Sequence, residues 1–230
     1  MAEYILELQN ITKEFPGVKA LSEVTFGVQR GHVHALVGEN GAGKSTLIKV
    51  ICGVYPYGNY EGTVKFEGKE CRFRTIREVE SAGIACIHQE LNLVPDMSVA
   101  ENVFLNNQPH KFGVVNFDEQ FDQCKKLLAQ VGLEVNPDEI VRNLGVGQQQ
   151  MVEIAKALSR DVKLLLLDEP TAALTEAEVD TLLDLVDKLR QKGVTCIYIS
   201  HRLDEIMRLC DDITILRDGQ TSTHVLTRRP

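Results

Sequence analysis

Nowhere in these 230 residues is there an uncharged run near the ~20 positions that a membrane span requires. If the protein works at a membrane, a partner must supply the span. Positive charge is also scarce: 25 Lys and Arg stand against 33 Asp and Glu, for a formal net charge of −8. Replacing counterions along a nucleic-acid backbone needs clustered cations, so this balance argues against a nucleic-acid partner. The six cysteines (Cys52, Cys71, Cys86, Cys124, Cys196 and Cys210) never fall in a C-x-x-C spacing, and Cys52, Cys86 and Cys196 sit in apolar runs. They read as buried, reduced thiols of a cytosolic protein and not as a metal or redox site. There is no internal repeat and no low-complexity segment. Met1 to Asn10 mixes acidic, polar and apolar residues without the positive start of a secretory leader, so none is expected.

What is present is a hydrophobic content of 43%, enough for a proper core in one large domain. Tyr4-Ile5-Leu6-Glu7-Leu8, Val24-Thr25-Phe26-Gly27-Val28 and Gly62-Thr63-Val64-Lys65-Phe66 are short strand signals with polar alternation, which suits an antiparallel sheet with one wet face. From about residue 95 to 161 the apolar spacing becomes helical, over 97–105, 118–131 and 148–159, and reads as a helical insert. Buried-strand signals over 163–167, 195–200 and 212–216 then alternate with helical stretches, the rhythm of parallel β-α-β units. A ligand of such a sheet sits at the C-terminal ends of its strands. The ending Thr227-Arg228-Arg229-Pro230 follows a strand with nothing to pack behind it, which suggests a chain cut from a longer one.

The stretch Gly38-Glu39-Asn40-Gly41-Ala42-Gly43-Lys44-Ser45-Thr46 fits the pattern G-x-x-x-x-G-K-S/T, between an apolar run (32–37) and a helical one (46–52). Three glycines let the backbone curl with its N–H groups inward, and the following helix adds its positive end, so the concavity suits anionic oxygens. Lys44 can then reach terminal phosphates, and the Ser45 hydroxyl can ligate Mg²⁺, which prefers hard oxygen donors. The pattern implies nucleoside triphosphate binding; the alternative is a plain Gly-rich turn.

Leu164-Leu165-Leu166-Leu167-Asp168-Glu169 ends an apolar run in two carboxylates, costly unless they have partners or work at the strand's edge. In a phosphate-loop protein Asp168 is placed to hold Mg²⁺ and Glu169 to polarise the water that attacks the γ-phosphate. A capping acid pair before Pro170 is the alternative. Cys196-Ile197-Tyr198-Ile199-Ser200 delivers His201 to the same edge, where an imidazole could bond the γ-phosphate or the attacking water, or be merely structural. Gln89, after the strand-like 84–87, carries an amide able to ligate Mg²⁺ and sense the γ-phosphate. Leu144-Gly145-Val146-Gly147-Gln148 precedes an amphipathic helix, so its flexible backbone and the helix N-terminus form a second possible anion site.

In this order, the five features resemble the nucleotide-binding cassette of the ATP-binding cassette family across essentially the whole chain. The resemblance implies an α/β phosphate-loop fold with a RecA-like parallel core and an N-terminal antiparallel β-subdomain, covering about 1–94 and 160–230. An inserted helical subdomain would cover about 95–159. It implies ATP and Mg²⁺ as cofactors, and an aromatic stacked on adenine, the place occupied by Phe15 in Lys13-Glu14-Phe15-Pro16-Gly17. It also implies that residues 144–148 are the family signature, which completes the ATP site of a facing cassette, so that hydrolysis needs two cassettes.

The wording His88-Gln89-Glu90-Leu91-Asn92-Leu93-Val94, Met97-Ser98-Val99-Ala100-Glu101-Asn102-Val103-Phe104-Leu105 and Gly147-Gln148-Gln149-Gln150 looks like the bacterial monosaccharide importers of the ribose, xylose, arabinose and galactose type. In those, two cassettes share one polypeptide, and this chain looks like the first. The expected partners are a second cassette, a membrane permease and, indirectly, an extracellular sugar-binding protein. The expected place is peripheral, on the cytoplasmic side of the plasma membrane, with the isolated domain soluble. Residues 90–105 are expected to dock the permease, and Tyr55-Pro56-Tyr57-Gly58-Asn59-Tyr60-Glu61-Gly62 looks most like xylose or multiple-sugar members.

Two departures stand out. The usual signature reads Leu-Ser-Gly-Gly-Gln, so Gly145 removes a hydroxyl that would bond the γ-phosphate and Val146 brings a branched side chain to a close approach. After the acid pair, Ala172-Ala173-Leu174-Thr175 stands for the usual Ser-Ala-Leu-Asp, and Thr175 with Glu178 is expected to cap the helix over 176–192. Chromosome-maintenance and translation-factor cassettes carry coiled-coil or basic insertions that this chain lacks. A phosphate-loop kinase would need neither the signature nor His201.

Overall fold

The computed structural model describes residues 4–111 and 114–226. The chain opens with β1 (Tyr4–Phe15) and β2 (Val18–Gln29), and β3 (Val33–Val37) then leads into α1 (Lys44–Ile51). Next come β4 (Glu61–Phe66), β5 (Lys69–Cys71), α2 (Ile76–Ser81) and β6 (Ile84–Ile87). The short α3 (Val99–Val103), the paired two-residue strands β7 (His110–Lys111) and β8 (Val114–Val115), α4 (Phe117–Gln130) and α5 (Val146–Leu158) form the middle. The last third runs β9 (Leu164–Asp168), α6 (Glu176–Gln191), β10 (Thr195–Ile199), α7 (Leu203–Leu209), β11 (Asp212–Arg217) and β12 (Gln220–Leu226).

Two compact units result, one from 1–86, 163–169 and 186–230, the other from 87–162 and 170–185. The expected helical insert, 95–159, lies within the second, which also takes in 87–94, 160–162 and 170–185.

The first unit carries a four-stranded sheet in the order β2-β1-β4-β5, with antiparallel neighbours, and a six-stranded sheet in the order β12-β11-β3-β10-β9-β6. In the latter, β11, β3, β10 and β9 run parallel and β12 pairs antiparallel at the edge. The central strands read Val-His-Ala-Leu-Val, Leu-Leu-Leu-Leu-Asp and Thr-Cys-Ile-Tyr-Ile, nearly all buried, because a parallel sheet covered on both faces has no wet side. One apolar cluster joins both sheets through α1, from Ile5, Leu8 and Val64 across Leu47 and Ile51 to Leu166 and Ile197. Such a core removes roughly 1.5–3 kcal/mol worth of apolar exposure per large side chain, an upper bound because denatured chains are partly compact.

Three elements differ from the sequence reading for local reasons. β1 runs on to Phe15 because Asn10, at φ 54°, absorbs a bulge that breaks the apolar alternation after Leu8. The helical spacing over 97–105 yields only α3, which begins where Ser98 and Glu101 form a reciprocal capping box of 3.2 and 2.8 Å. α5 starts at Val146, so Val146, Gly147 and Gln148 are its first turn and not a flexible loop.

Candidate functional site

Register decides what meets at the edge of the six-stranded sheet. Ile199 of β10 pairs with Leu36 of β3 on one side and Asp168 of β9 on the other. The chain therefore leaves three neighbouring strands at one level, into residues 38–46, into Glu169, and into Ser200 and His201.

Residues 38–43 cross from β3 to α1 in a conformation only glycine tolerates at two places, Gly41 at φ 85° and Gly43 at φ 103°. Packing adds a second requirement. A Cβ on Gly43 would lie 2.6 Å from the Ala20 carbonyl oxygen, and one on Gly38 would run into the carbonyl of Leu216. Gly43 is the N-cap of α1 and offers no side-chain cap, so the helix's first N–H groups are not spent on one. Lys44 is 8% exposed, and its ammonium donates to the carbonyls of Gly38 (2.6 Å) and Glu39 (3.0 Å). Glu39, Asn40, Gly41 and Ser45 are exposed, Thr46 half-buried, and Ala42 buried with its N–H on the Glu39 carbonyl at 3.1 Å. The loop thus presents backbone N–H groups, a cation and a hydroxyl around one concave turn, a surface for anionic oxygens.

Asp168 is the last residue of β9, and Glu169 follows with φ 47°, a left-handed backbone that costs a non-glycine residue about 1–2 kcal/mol. Its N–H donates to the Ile199 carbonyl at 2.9 Å, which holds this turn. The Glu169 carboxylate is largely buried, and the exposed His201 imidazole has Nδ1 3.6 Å from its Oε1. Glu205, a residue the sequence reading missed, anchors the turn that carries His201. It is 1% exposed, accepts from the Tyr198 hydroxyl (2.7 Å) and the Ser200 hydroxyl (3.0 Å), and pairs with Arg202 at 3.0 Å. Its only sequence signal is its place in the first turn of α7, where acids are common.

Phe15 ends β1, half-buried, with its ring edge-on to Tyr55 at 5.6 Å. Lys13 lies over both rings, at 4.8 Å from Phe15 and 5.3 Å from Tyr55. Tyr55, an aromatic three residues after the C-cap of α1, packs on Phe15, a contact the sequence reading missed. Ser45 and Asp168 supply hard oxygens at this sheet edge, a donor set suited to Mg²⁺.

Gln89 and residues 144–148 belong to the second unit. Gln89 is exposed two residues after β6. Leu144 is buried, and Gln148 accepts from the Gly145 N–H at 3.1 Å. Gly145 has φ −63° and nothing closer than 3.9 Å to a Cβ built on it, so glycine is not required there by backbone or by space. Gly147 is the opposite case: a Cβ on it would collide with the carboxylate of Glu178. That carboxylate accepts from the N–H (2.9 Å) and the hydroxyl (2.8 Å) of Thr175, which hold it ionised, below its ordinary range.

A family model described as ABC transporter matches residues 21–172, which include the glycine-rich loop, Gln89, residues 144–148 and the acid pair. The chain belongs to the ABC transporter family. Among curated relatives of this cassette, the xylose import ATP-binding protein XylG of Geobacillus kaustophilus (strain HTA426) is 56% identical over 221 residues, 96% of this chain and 44% of that protein. The L-arabinose transport ATP-binding protein AraG of Geobacillus stearothermophilus is 58% identical, with 96% and 43% covered. The chain thus spans less than half the length of these relatives. Among solved structures, a nucleotide-free ATP-binding cassette from an ABC transporter is similar with a TM-score of 0.85 and 30% identity, over 98% of this chain and 92% of that one. A dimeric ATP-binding cassette in a post-hydrolysis state, bound to ADP and Pi, is similar with a TM-score of 0.83 and 25% identity, over 97% and 99%. The cassette fold expected from the sequence, a phosphate-loop α/β core with an antiparallel sheet and a helical part, is the fold observed.

Proposed function

We propose that this chain is the ATP-binding and ATP-hydrolysing cassette of a sugar importer, driving monosaccharide uptake through a separate membrane permease. The observation that carries the reading is the register Leu36, Ile199, Asp168, which puts the phosphate loop, the acid pair and His201 on one sheet edge. The loop N–H groups and Lys44 bind the phosphates, and Phe15 takes the adenine with Tyr55 behind it. Ser45, Asp168 and Gln89 would hold Mg²⁺, which would supply positive charge to offset that of the phosphate oxygens. Glu169 takes the proton of the attacking water, and His201 holds the water or the γ-phosphate in line.

Residues 144–148 act on the ATP of a facing cassette. The relatives' greater length and the dimeric state of a structural neighbour support a second cassette in the same polypeptide. Functionally, 1–94 and 160–230 form the ATP-binding core and 95–159 the signature-bearing part. Among the described residues no helix is long and apolar enough to cross a membrane. The reading has the chain docked on the cytoplasmic face of a separate permease. Docking through 90–105 uses its exposed residues Glu90, Asn92, Pro95, Asp96 and Glu101. Val99 and Asn102 are fully buried and cannot serve. The names of the relatives support a pentose as cargo.

The test is uptake of labelled xylose and arabinose by vesicles holding the full-length protein and its permease. ATP-driven uptake that Lys44→Ala abolishes supports the reading. Uptake that persists without ATP, or in Lys44→Ala, overturns it.

A further inference from the structure

Within the second unit, two side chains of α5 grip the segment that follows Gln89. The carboxylate of Glu153 accepts from the Asn92 N–H at 2.8 Å, and the ammonium of Lys156 donates to the Asn92 carbonyl at 2.7 Å, so a single residue is held by both of its backbone polar groups. Glu153 and Lys156 stand one turn apart, 3.8 Å from each other. Two residues on, buried Asn102 repeats the grip: its Oδ1 accepts from the Val94 N–H at 2.7 Å and its Nδ2 donates to the Val94 carbonyl at 3.0 Å.

Glu153 is 6% exposed, in a stretch of α5 where Gln150, Val152, Ile154 and Ala155 are buried as well. A carboxylate in that place is costly unless paired and hydrogen-bonded. Burial pushes its carboxyl above the ordinary range, while Lys156, the Asn92 N–H and His88 pull it back. Freeing Asn92 would strand a buried charge, so the segment has one favoured seat on α5 and not a range of them. The same helix begins at Val146, inside residues 144–148.

We propose that Glu153 is a positioning residue that ties the segment bearing Gln89 to the helix bearing residues 144–148, so that nucleotide contact at Gln89 is passed on to the surface offered to a facing cassette. This rests on the nucleotide reading given above. Coupling of this kind through two charge-assisted bonds to one rigid helix falls in the range usual for linked sites.

The absence of tryptophan from these 230 residues allows a direct test in this chain, because an introduced indole is the sole one in it. Leu91→Trp reports on the segment and Asn143→Trp on the start of α5, each read by fluorescence on adding Mg·ATP, with affinity measured separately by calorimetry. Both reporters are expected to respond in the parent. In Glu153→Ala the Leu91 reporter and the ATP affinity should stay within about twofold, while the response at Asn143 falls at least about fivefold. Glu153→Gln, which keeps an acceptor for the Asn92 N–H, should restore part of it, and Lys156→Met, the second variant should Glu153→Ala fail to fold, should weaken it. An Asn143 response that survives Glu153→Ala and Lys156→Met, or that is missing from a parent chain whose Leu91 reporter responds, overturns the proposal and leaves the nucleotide reading standing. A parent chain that binds no ATP overturns both.

Discussion

The imidazole Nδ1 of His201 lies 3.6 Å from the carboxylate of Glu169, and both residues depend on the end of β10 for that placement. His201 follows that strand by two residues, and Glu169 donates its N–H to the strand's last carbonyl. The strained backbone of Glu169, at φ 47°, is therefore held by the same strand that presents its neighbour. If His201 works on the attacking water or the γ-phosphate, His201→Ala should leave Mg·ATP affinity within about twofold and slow hydrolysis by about 10²–10⁴-fold. Calorimetry and single-turnover assays separate the two effects.

Lys44 is held by two loop carbonyls and is the one cation in the concave turn. If it reaches the phosphates, its loss removes a charge-assisted bond worth about 1.5–3 kcal/mol, so Lys44→Ala should weaken ATP binding by at least about tenfold. Unchanged affinity would show that the loop does not cradle phosphate.

The space around Gly145 accepts a serine, and the exposure of Val146 accepts a glycine. When this chain pairs with itself, both composite sites receive Gly145 and Val146, so hydrolysis by the isolated chain should be poor. Gly145→Ser with Val146→Gly should raise it by about tenfold or more, the worth of one hydrogen bond to a charged phosphate. Steady-state ATPase with light scattering checks this, and no gain would mean that the signature does not limit the site. Gly147→Ala, by contrast, puts a methyl group where the Glu178 carboxylate sits and should displace it from Thr175, read as a rise of the Glu178 carboxyl toward its ordinary range.

Cys196 is fully buried, and burial pushes its thiol from an ordinary value of 9.0 up to about 12. An acid whose folded value is raised favours folding below its unfolded value and withdraws that support as pH rises toward the folded one. Between pH 9.0 and about 12 the unfolded chain sheds a proton that the folded chain keeps. Stability should fall there by about 1.4 kcal/mol per pH unit from this thiol. Urea titrations of the parent and Cys196→Ala should therefore converge across this window; parallel curves would contradict it.

Much of this architecture was legible because the residues that mark it are local. The short runs 164–167 and 195–199 lack the polar alternation of a half-buried strand and suit doubly covered strands, and the glycine-lysine loop carries its own chemistry. What was not legible depends on contacts between elements. Glu178 against Gly147 and Glu153 on Asn92 join residues far apart in sequence, and Glu205 turns back from α7 to the Tyr198 hydroxyl of β10 and to Ser200; nothing in their neighbours' identities announces it. Residues 144–148 looked like a flexible glycine loop because Gly145 and Gly147 suggest freedom. One is simply an N-cap and the other makes room for a carboxylate from α6.

The central claim is that the edge formed by residues 38–46 and Asp168-Glu169 cleaves ATP with Glu169 taking the water's proton. Under the proposed function, a second cassette's signature would complete this site in the full-length protein, in place of residues 144–148. Single-turnover cleavage of γ-labelled ATP by the parent and by Glu169→Gln, at matched Mg·ATP occupancy, tests it most directly. The account predicts equal binding and a cleavage rate lower by about 10²–10⁴-fold in Glu169→Gln. Equal cleavage rates in the two proteins would contradict it.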